Sequence, residues 1–116
     1  MDEKNAAVLR KILRHIDSVL RYCAPCKSRQ DFEREPMRVE ATVFNLMQIG
    51  ELAKNALDDR VKREITSVPW AQIYGLRNRI VHGYSGVNMQ IVWDTVSEDL
   101  PALREEISAS LGDTKN

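Results

Sequence analysis

The sequence predicts an all-α fold, and three observations carry that prediction. Apolar residues recur at three- and four-residue spacing over long segments, the period of a helix that buries one face. No convincing alternation of apolar and polar residues marks a strand. The 5 glycines and 4 prolines fall at a few places along the chain. At 116 residues the chain is read as one domain with a small core. That domain is placed at residues 1–111, and residues 112–116 are expected to form a flexible C-terminal tail.

The first helix runs from about Glu3 to Cys23, with Val8, Leu9, Ile12, Ile16, Val19, Leu20 and Cys23 on one apolar face. Pro25 stops it. Ser28 opens a short polar stretch whose one large apolar anchor is Phe32. The second long helix begins near Pro36, a favourable first-turn residue, and reaches about Leu57. Its expected core stripe is Val39, Val43, Leu46, Met47, Gly50, Ala53 and Leu57. Phe44, Ile49 and Leu52 fall on other faces, which leaves Thr42, Asn45, Gln48 and Glu51 as a narrow polar track. A helix apolar nearly all round is buried on more than one side. Those sides face either the chain's own helices or a second copy, and a homodimer is the expectation.

Asp58–Thr66 is charged and reads as a loop or a frayed helical turn. Ser67-Val68-Pro69-Trp70 starts the third main helix, which runs to about His82 with Gly83 as its stop. Asn88 caps a fourth, through Met89, Ile91, Val92 and Val96. Pro101 opens the last, with Leu103, Ile107 and Leu111 on one face.

Seventeen basic residues balance seventeen acidic ones, so a global nucleic-acid footprint is absent and any such site must be a local cluster or arise by oligomerisation. The opening Met1-Asp2-Glu3-Lys4-Asn5 does not resemble a signal peptide, and no apolar run approaches a membrane span. The expectation is a cytoplasmic protein without membrane contact. Cys23-Ala24-Pro25-Cys26 has redox or half-zinc-site spacing. The redox reading needs a strand–turn–helix context that is missing, and zinc needs two further ligands. A structural role is expected, with Cys23 as a small buried hydrophobe and Cys26 in a loop. No metal or cofactor is expected.

The chemistry concentrates in Arg77-Asn78-Arg79-Ile80-Val81-His82-Gly83-Tyr84, an Arg-x4-His-x-Tyr pattern at a helix end. Arginine holds a phosphate by two parallel hydrogen bonds, and histidine moves a proton near neutral pH. On the helix, Trp70, Ile73, Leu76 and Ile80 form the apolar stripe and Arg77 falls inside it. A charge there is costly unless paired. Arg77 is either bound structurally to a carboxylate, for which Glu51 is the natural candidate, or held in a cleft for phosphate, and one network can serve both. Asn78 and His82 share a face and could fix the imidazole's orientation. His82 and Arg77 are about 140° apart on a regular helix, so the helix end or a second subunit must bring them together. On residue chemistry alone, His82-Gly83 also suits a C-terminal cap, and Tyr84 could simply pack its ring.

Ile49-Gly50-Glu51-Leu52-Ala53, Val68-Pro69-Trp70, Leu76 through Tyr84, Ile91-Val92-Trp93 and Asp99-Leu100-Pro101 together resemble the HepT family of HEPN-domain proteins, over about Asp31 to Ile107. The resemblance implies a HEPN-type antiparallel helical bundle that dimerises with its motifs near the subunit interface. It implies a metal-independent ribonuclease, the toxin of a toxin–antitoxin pair. The implied partners are RNA and a minimal nucleotidyltransferase antitoxin (MntA-like) that transfers AMP from ATP to the motif tyrosine. Carried onto this chain, Arg77 and His82 are the catalytic pair, Asn78 is the polar residue after the arginine, and Tyr84 is the AMPylated tyrosine. Gly83 departs from the charged or polar residue common there. A role for Glu51 in orienting Arg77 is an inference from these residues, not from the family. Two other readings compete: a non-catalytic HEPN dimer that scaffolds a nucleotidyltransferase, and a thiol redox protein resting on Cys23 and Cys26 alone.

Overall fold

The computed structural model describes the backbone of residues 1–82 and 88–112, and the side chains of all of these except 76, 77 and 79–82. Among the described residues the chain is helical throughout, with no strand. Helix α1 spans Glu3–Cys23, as the periodicity predicts. Asp2 caps it, accepting from the Asn5 backbone N–H at 2.8 Å. Helix α2 (Arg29–Glu33) is a short turn capped by Ser28, and it drives Phe32 fully into the core. Helix α3 (Pro36–Glu51) starts with proline in its first turn.

Helix α3 does not continue regularly to Leu57. It passes into a π-helical turn, Leu52–Ala56. A π turn widens the hydrogen-bond ladder by one residue and leaves carbonyls to be satisfied elsewhere. Lys62 does this, donating from Nζ to the carbonyls of Ala53 at 3.0 Å and Lys54 at 3.4 Å. Lys62 lies on α4 (Asp59–Glu64), where a loop or frayed turn was expected. A helix forms there because Val61 is buried in the core and Lys62 is anchored, so one side of a charged segment has tertiary partners. Burial disfavours the Lys62 charge most strongly, yet the hydrogen bonds to Tyr74 and Asp59 together outweigh it and hold the amine above its ordinary range.

Helix α5 spans Trp70–His82. Helix α6 (Met89–Asp94) is capped by Asn88, which accepts from the N–H groups of Gln90 and Ile91. Helix α7 spans Leu100–Ser110 with Pro101 in its first turn. The two expected final helices are in fact joined by a second π turn, Thr95–Asp99. There the hydroxyls of Thr95 and Ser97 donate to the carbonyls of Ile91 and Trp93, each at 2.8 Å. Such back-bonding takes up carbonyls where the ladder widens.

Helix α3 packs against α1, α5 and α2, and α1 packs against α7. The pairs His15–Asn45 and Asn5–Asp58 run in opposite chain directions, so α1 and the segment Pro36–Asp58 are antiparallel. One cluster of buried side chains, from Leu9 to Ile107, ties all these helices together.

Helix α3 corrects the expected stripe. Leu46, Gly50, Ala53 and Leu57 are buried, but Val39, Val43 and Met47 are only half-buried. Ile49, assigned to another face, is in the core. Thr42 and Asn45, two residues of the narrow polar track, are buried as well. The reason is polar partners on α1. Cys23 Sγ lies 3.7 Å from Thr42 Oγ1, and His15 Nδ1 lies 2.8 Å from Asn45 Oδ1. Cys23 is buried, Cys26 is half-buried, and both are free thiols, which fits the structural role expected of the pair. Burial pushes the Cys23 thiol up from its ordinary range. The tail expected at 112–116 lies outside the described residues beyond Gly112.

Candidate functional site

The motif helix is built from its N-terminal end. Trp70 Nε1 donates to the carbonyl of Ile65 at 3.0 Å, which fixes the entry of α5 against α4 and its connecting turn. Val68, just before, is buried. One turn on, the Tyr74 ring sits 5.3 Å from Lys62 Nζ, a cation–π contact. The same ammonium therefore holds the π turn at the end of α3 and the middle of α5. With α3 packed along it, α5 is held from two sides over its first two turns.

The helix stays regular to His82. Positions 77 and 82 are thus separated by about 7.5 Å along the axis and about 140° around it. Irregularity before His82 does not bring them together, so their convergence on one phosphate has to come from side-chain reach or from a second copy. The side chains of Arg77 and His82 lie outside the described residues, as do Gly83, expected to stop the helix, and Tyr84. So do the side chains of Leu76, Ile80 and Val81. Trp70 and Ile73, the other stripe residues, are half-buried.

Of the supporting residues, Asn78 is exposed, available to a ligand or a partner. Glu51 ends α3 at the junction with the π turn and is half-buried. Its Oε2 accepts from Asn55 Nδ2 at 2.6 Å. The carboxylate is thereby oriented by a residue of the π turn, a partner that the four-residue spacing could have signalled. The expected pairing of Glu51 with Arg77 involves a side chain outside the described residues.

A cavity of about 240 Å³ lies against the opposite, N-terminal half of α5. Leu46, Ile49, Leu100 and Leu103 give it apolar walls, and Asp94 and Asp99 are its charged groups. Two carboxylates repel a phosphate, so this cavity is unsuited to a nucleic-acid backbone, and the motif end of α5 stays the candidate site.

Several known proteins are similar to this chain in sequence. A protein of Caldanaerobacter subterraneus subsp. tengcongensis, provisionally named an RNase, is 36% identical over 84 residues, covering 72% of this chain and 74% of that protein. A Thermococcus cleftensis protein, provisionally named ribonuclease HepT, is 35% identical over 75 residues, covering 65% and 67%. A Methanocaldococcus jannaschii protein, also provisionally named an RNase, is 31% identical over 83 residues, covering 72% and 68%. No solved structure matches. The model of the family described as "Ribonuclease HepT-like" matches residues 7–110, from the first turns of α1 to the last residue of α7. That span takes in the motif helix and every helix packed around it, and the chain therefore belongs to the HepT-like ribonuclease family.

Proposed function

We propose that this protein is a metal-independent endoribonuclease, the toxin of a toxin–antitoxin pair, in which Arg77 and His82 act on the RNA phosphodiester. The observation that carries the reading is an intact Arg-x4-His-x-Tyr in the sequence, its arginine and histidine positions on α5, within a chain that matches the family over residues 7–110. Neutral His82 takes the proton from a ribose 2′-OH, and that oxygen attacks the adjacent phosphorus. The 5′-oxygen of the next nucleotide leaves and takes up a proton from the resulting imidazolium or from water. The products are a 2′,3′-cyclic phosphate and a 5′-hydroxyl. Arg77 stabilises the charge that builds on the phosphoryl oxygens. Asn78 orients the imidazole and Glu51 positions Arg77.

A homodimer supports this chemistry by bringing two motifs together. Helix α3 already has α1, α5 and α2 against it, yet Met37 and Phe44, seven residues apart on one face, are 81% and 58% exposed. A second copy would cover them. Sedimentation at micromolar concentration tests this, and a stable 13.3 kDa monomer would contradict it.

The control step is AMP transfer by a minimal nucleotidyltransferase. The Tyr84 oxygen attacks the α-phosphorus of ATP, its proton passes to a base, and pyrophosphate leaves. The added phosphodiester occupies Arg77 and excludes RNA. Tyr22, 36% exposed, is the competing acceptor. Incubation with the cognate nucleotidyltransferase and ATP should add AMP to wild type and none to Tyr84→Phe. Mass spectrometry placing the AMP on Tyr22 or Tyr74 would overturn this step and leave the nuclease reading standing.

The nuclease itself is tested with end-labelled RNA in excess EDTA. His82→Ala and Arg77→Ala should each lower the cleavage rate about 100-fold or more with the helical circular dichroism unchanged. Wild-type rates in both variants would exclude the assignment. A wild type that binds the nucleotidyltransferase but cuts no RNA would point instead to a non-catalytic scaffold.

A further inference from the structure

Helix α1 has a solvent face unlike the rest of the molecule. Between residues 4 and 27 the sequence holds six Lys or Arg against a single acid, Asp17, in a chain whose total charge is zero. Asp17 is itself occupied, accepting from Arg104 Nε at 2.6 Å. Arg10, Lys11, Arg14 and Arg21 are all exposed, and among the described residues none of them has an ion-pair partner.

Helical geometry sorts this face into two rows. Arg10, Arg14 and Arg21 lie within about 40° of one another around the axis. Lys11, His15 and Tyr22, each one residue further, form a parallel row about 100° round. The Arg21 guanidinium sits 5.6 Å from the Tyr22 ring and joins the rows. His15 is held in place. Asn45 commits its Nδ2 to the carbonyl of Ala41 at 2.7 Å, so its Oδ1 faces His15 and accepts from the Nδ1–H at 2.8 Å. A row of cations beside a row bearing two aromatic rings is the arrangement that tracks a single-stranded backbone and stacks its bases.

We propose that the solvent face of α1 is an RNA-binding exosite, with Arg10, Arg14, Arg21 and Lys11 on phosphates and Tyr22 and His15 against bases. The proposal rests on the ribonuclease reading above and adds to it where a long substrate is held. The stripe is about 16 Å long, room for several nucleotides of an extended strand. Helix α3 stands between α1 and α5, so the stripe raises affinity for long RNA and has no part in the bond-breaking step. The aromatic row favours RNA over an acidic protein, which would need the cations alone.

The test uses a labelled 2′-O-methyl oligoribonucleotide, which a 2′-hydroxyl mechanism cannot cut, with the full-length protein. Each phosphate contact on a single strand contributes about 0.7 to the slope of log affinity against log salt. The triple variant Arg10→Ala/Arg14→Ala/Arg21→Ala should therefore lose about 2 from that slope. Tyr22→Ala should weaken binding about tenfold, and Tyr22→Phe should restore it. Arg34→Ala/Arg60→Ala/Arg63→Ala removes the same charge elsewhere and should leave the slope unchanged. The stripe variant should also raise KM for a long RNA while leaving kcat/KM for a dinucleotide unchanged. An unchanged slope and KM in the stripe variant, in a wild type that does cut RNA, would overturn the exosite alone. Equal loss in the charge-matched control would overturn it too. Polyglutamate bound as tightly as RNA, with no effect of Tyr22→Ala, would reassign the face to an acidic protein. A wild type that neither binds nor cuts RNA would remove the ribonuclease reading and the exosite together.

Discussion

The two longest helices, α1 and α3, obey opposite rules. On α1 the apolar residues Leu9, Ile12, Ile16 and Val19 are inside and the charges are outside. On α3 the polar residues Thr42 and Asn45 are inside, while Met37 and Phe44 stand in solvent. The difference follows from the number of neighbours. Helix α1 offers one continuous stripe to α3 and α7 and leaves the rest to water, so hydrophobic periodicity alone describes it. Helix α3 is packed by α1, α5 and α2, and a side chain's position there depends on which partner atoms it meets. Asn45 is buried because His15 and the Ala41 carbonyl satisfy it. Phe44 is exposed because among the described residues no helix reaches that side, and there we propose a second copy.

Substitutions break or sharpen this contrast in graded fashion. The largest effect belongs to the α1 stripe. Ile16→Ala should lower stability by about 2–5 kcal/mol, since it opens a cavity at a fully buried site. Urea unfolding at fixed protein concentration measures it, and a loss below about 1 kcal/mol would mean that the stripe is less tightly packed than its burial implies. Next is the exception on α1. Asn5 is fully buried, donates from Nδ2 to Asp2 and Asp58, and accepts from the Asp58 N–H at 3.0 Å. It ties the start of α1 to the start of α4, which Asp58 precedes. Asn5→Ala should cost about 1–3 kcal/mol, because the Asp58 N–H loses its acceptor.

Asn45→Ala on α3 should cost about 0.5–1.5 kcal/mol, less than Asn5→Ala because half-buried His15 can turn to water. A loss as large as that of Ile16→Ala would refute the view that the polar interior of α3 only follows its neighbours. The smallest effect on the monomer is Phe44→Ser, within about 0.5 kcal/mol, yet this variant should shift the sedimentation equilibrium towards monomer. No change in assembly would remove the proposed role of that face. A thiol probe adds a check where the two helices meet. Cys26 should be alkylated faster than Cys23, whose thiol burial holds in the protonated form. Equal rates would contradict the packing of Cys23 against Thr42.

Features that depend on local chemistry and a single burial direction could be read from the residues alone. The bounds of α1, the anchoring of Phe32, the start at Pro36 and the Asn88 cap are all of this kind. Each is decided by a proline, a capping side chain or one apolar face. The motif could be read for the same reason, since an arginine, a histidine and a tyrosine within eight residues state a chemistry without reference to the rest of the chain. Asn5 could have been found too, as it lies four residues before Leu9 on the α1 stripe.

The two π turns, the regular helix at Asp59–Glu64 and the polar interior of α3 came from packing between helices. A π turn is one residue of slack in the ladder, and whether it forms depends on packing and on who accepts or supplies the displaced hydrogen bonds. Here that is a lysine nine residues beyond one freed carbonyl and two hydroxyls at the other turn. The orientation of Glu51 by Asn55 differs from these, since it is a contact four residues apart whose spacing the sequence already carries. Hydrophobic pattern fixes which face a helix turns inward. Which polar atoms may follow it inside depends on partners distant in the chain, and no local period records them.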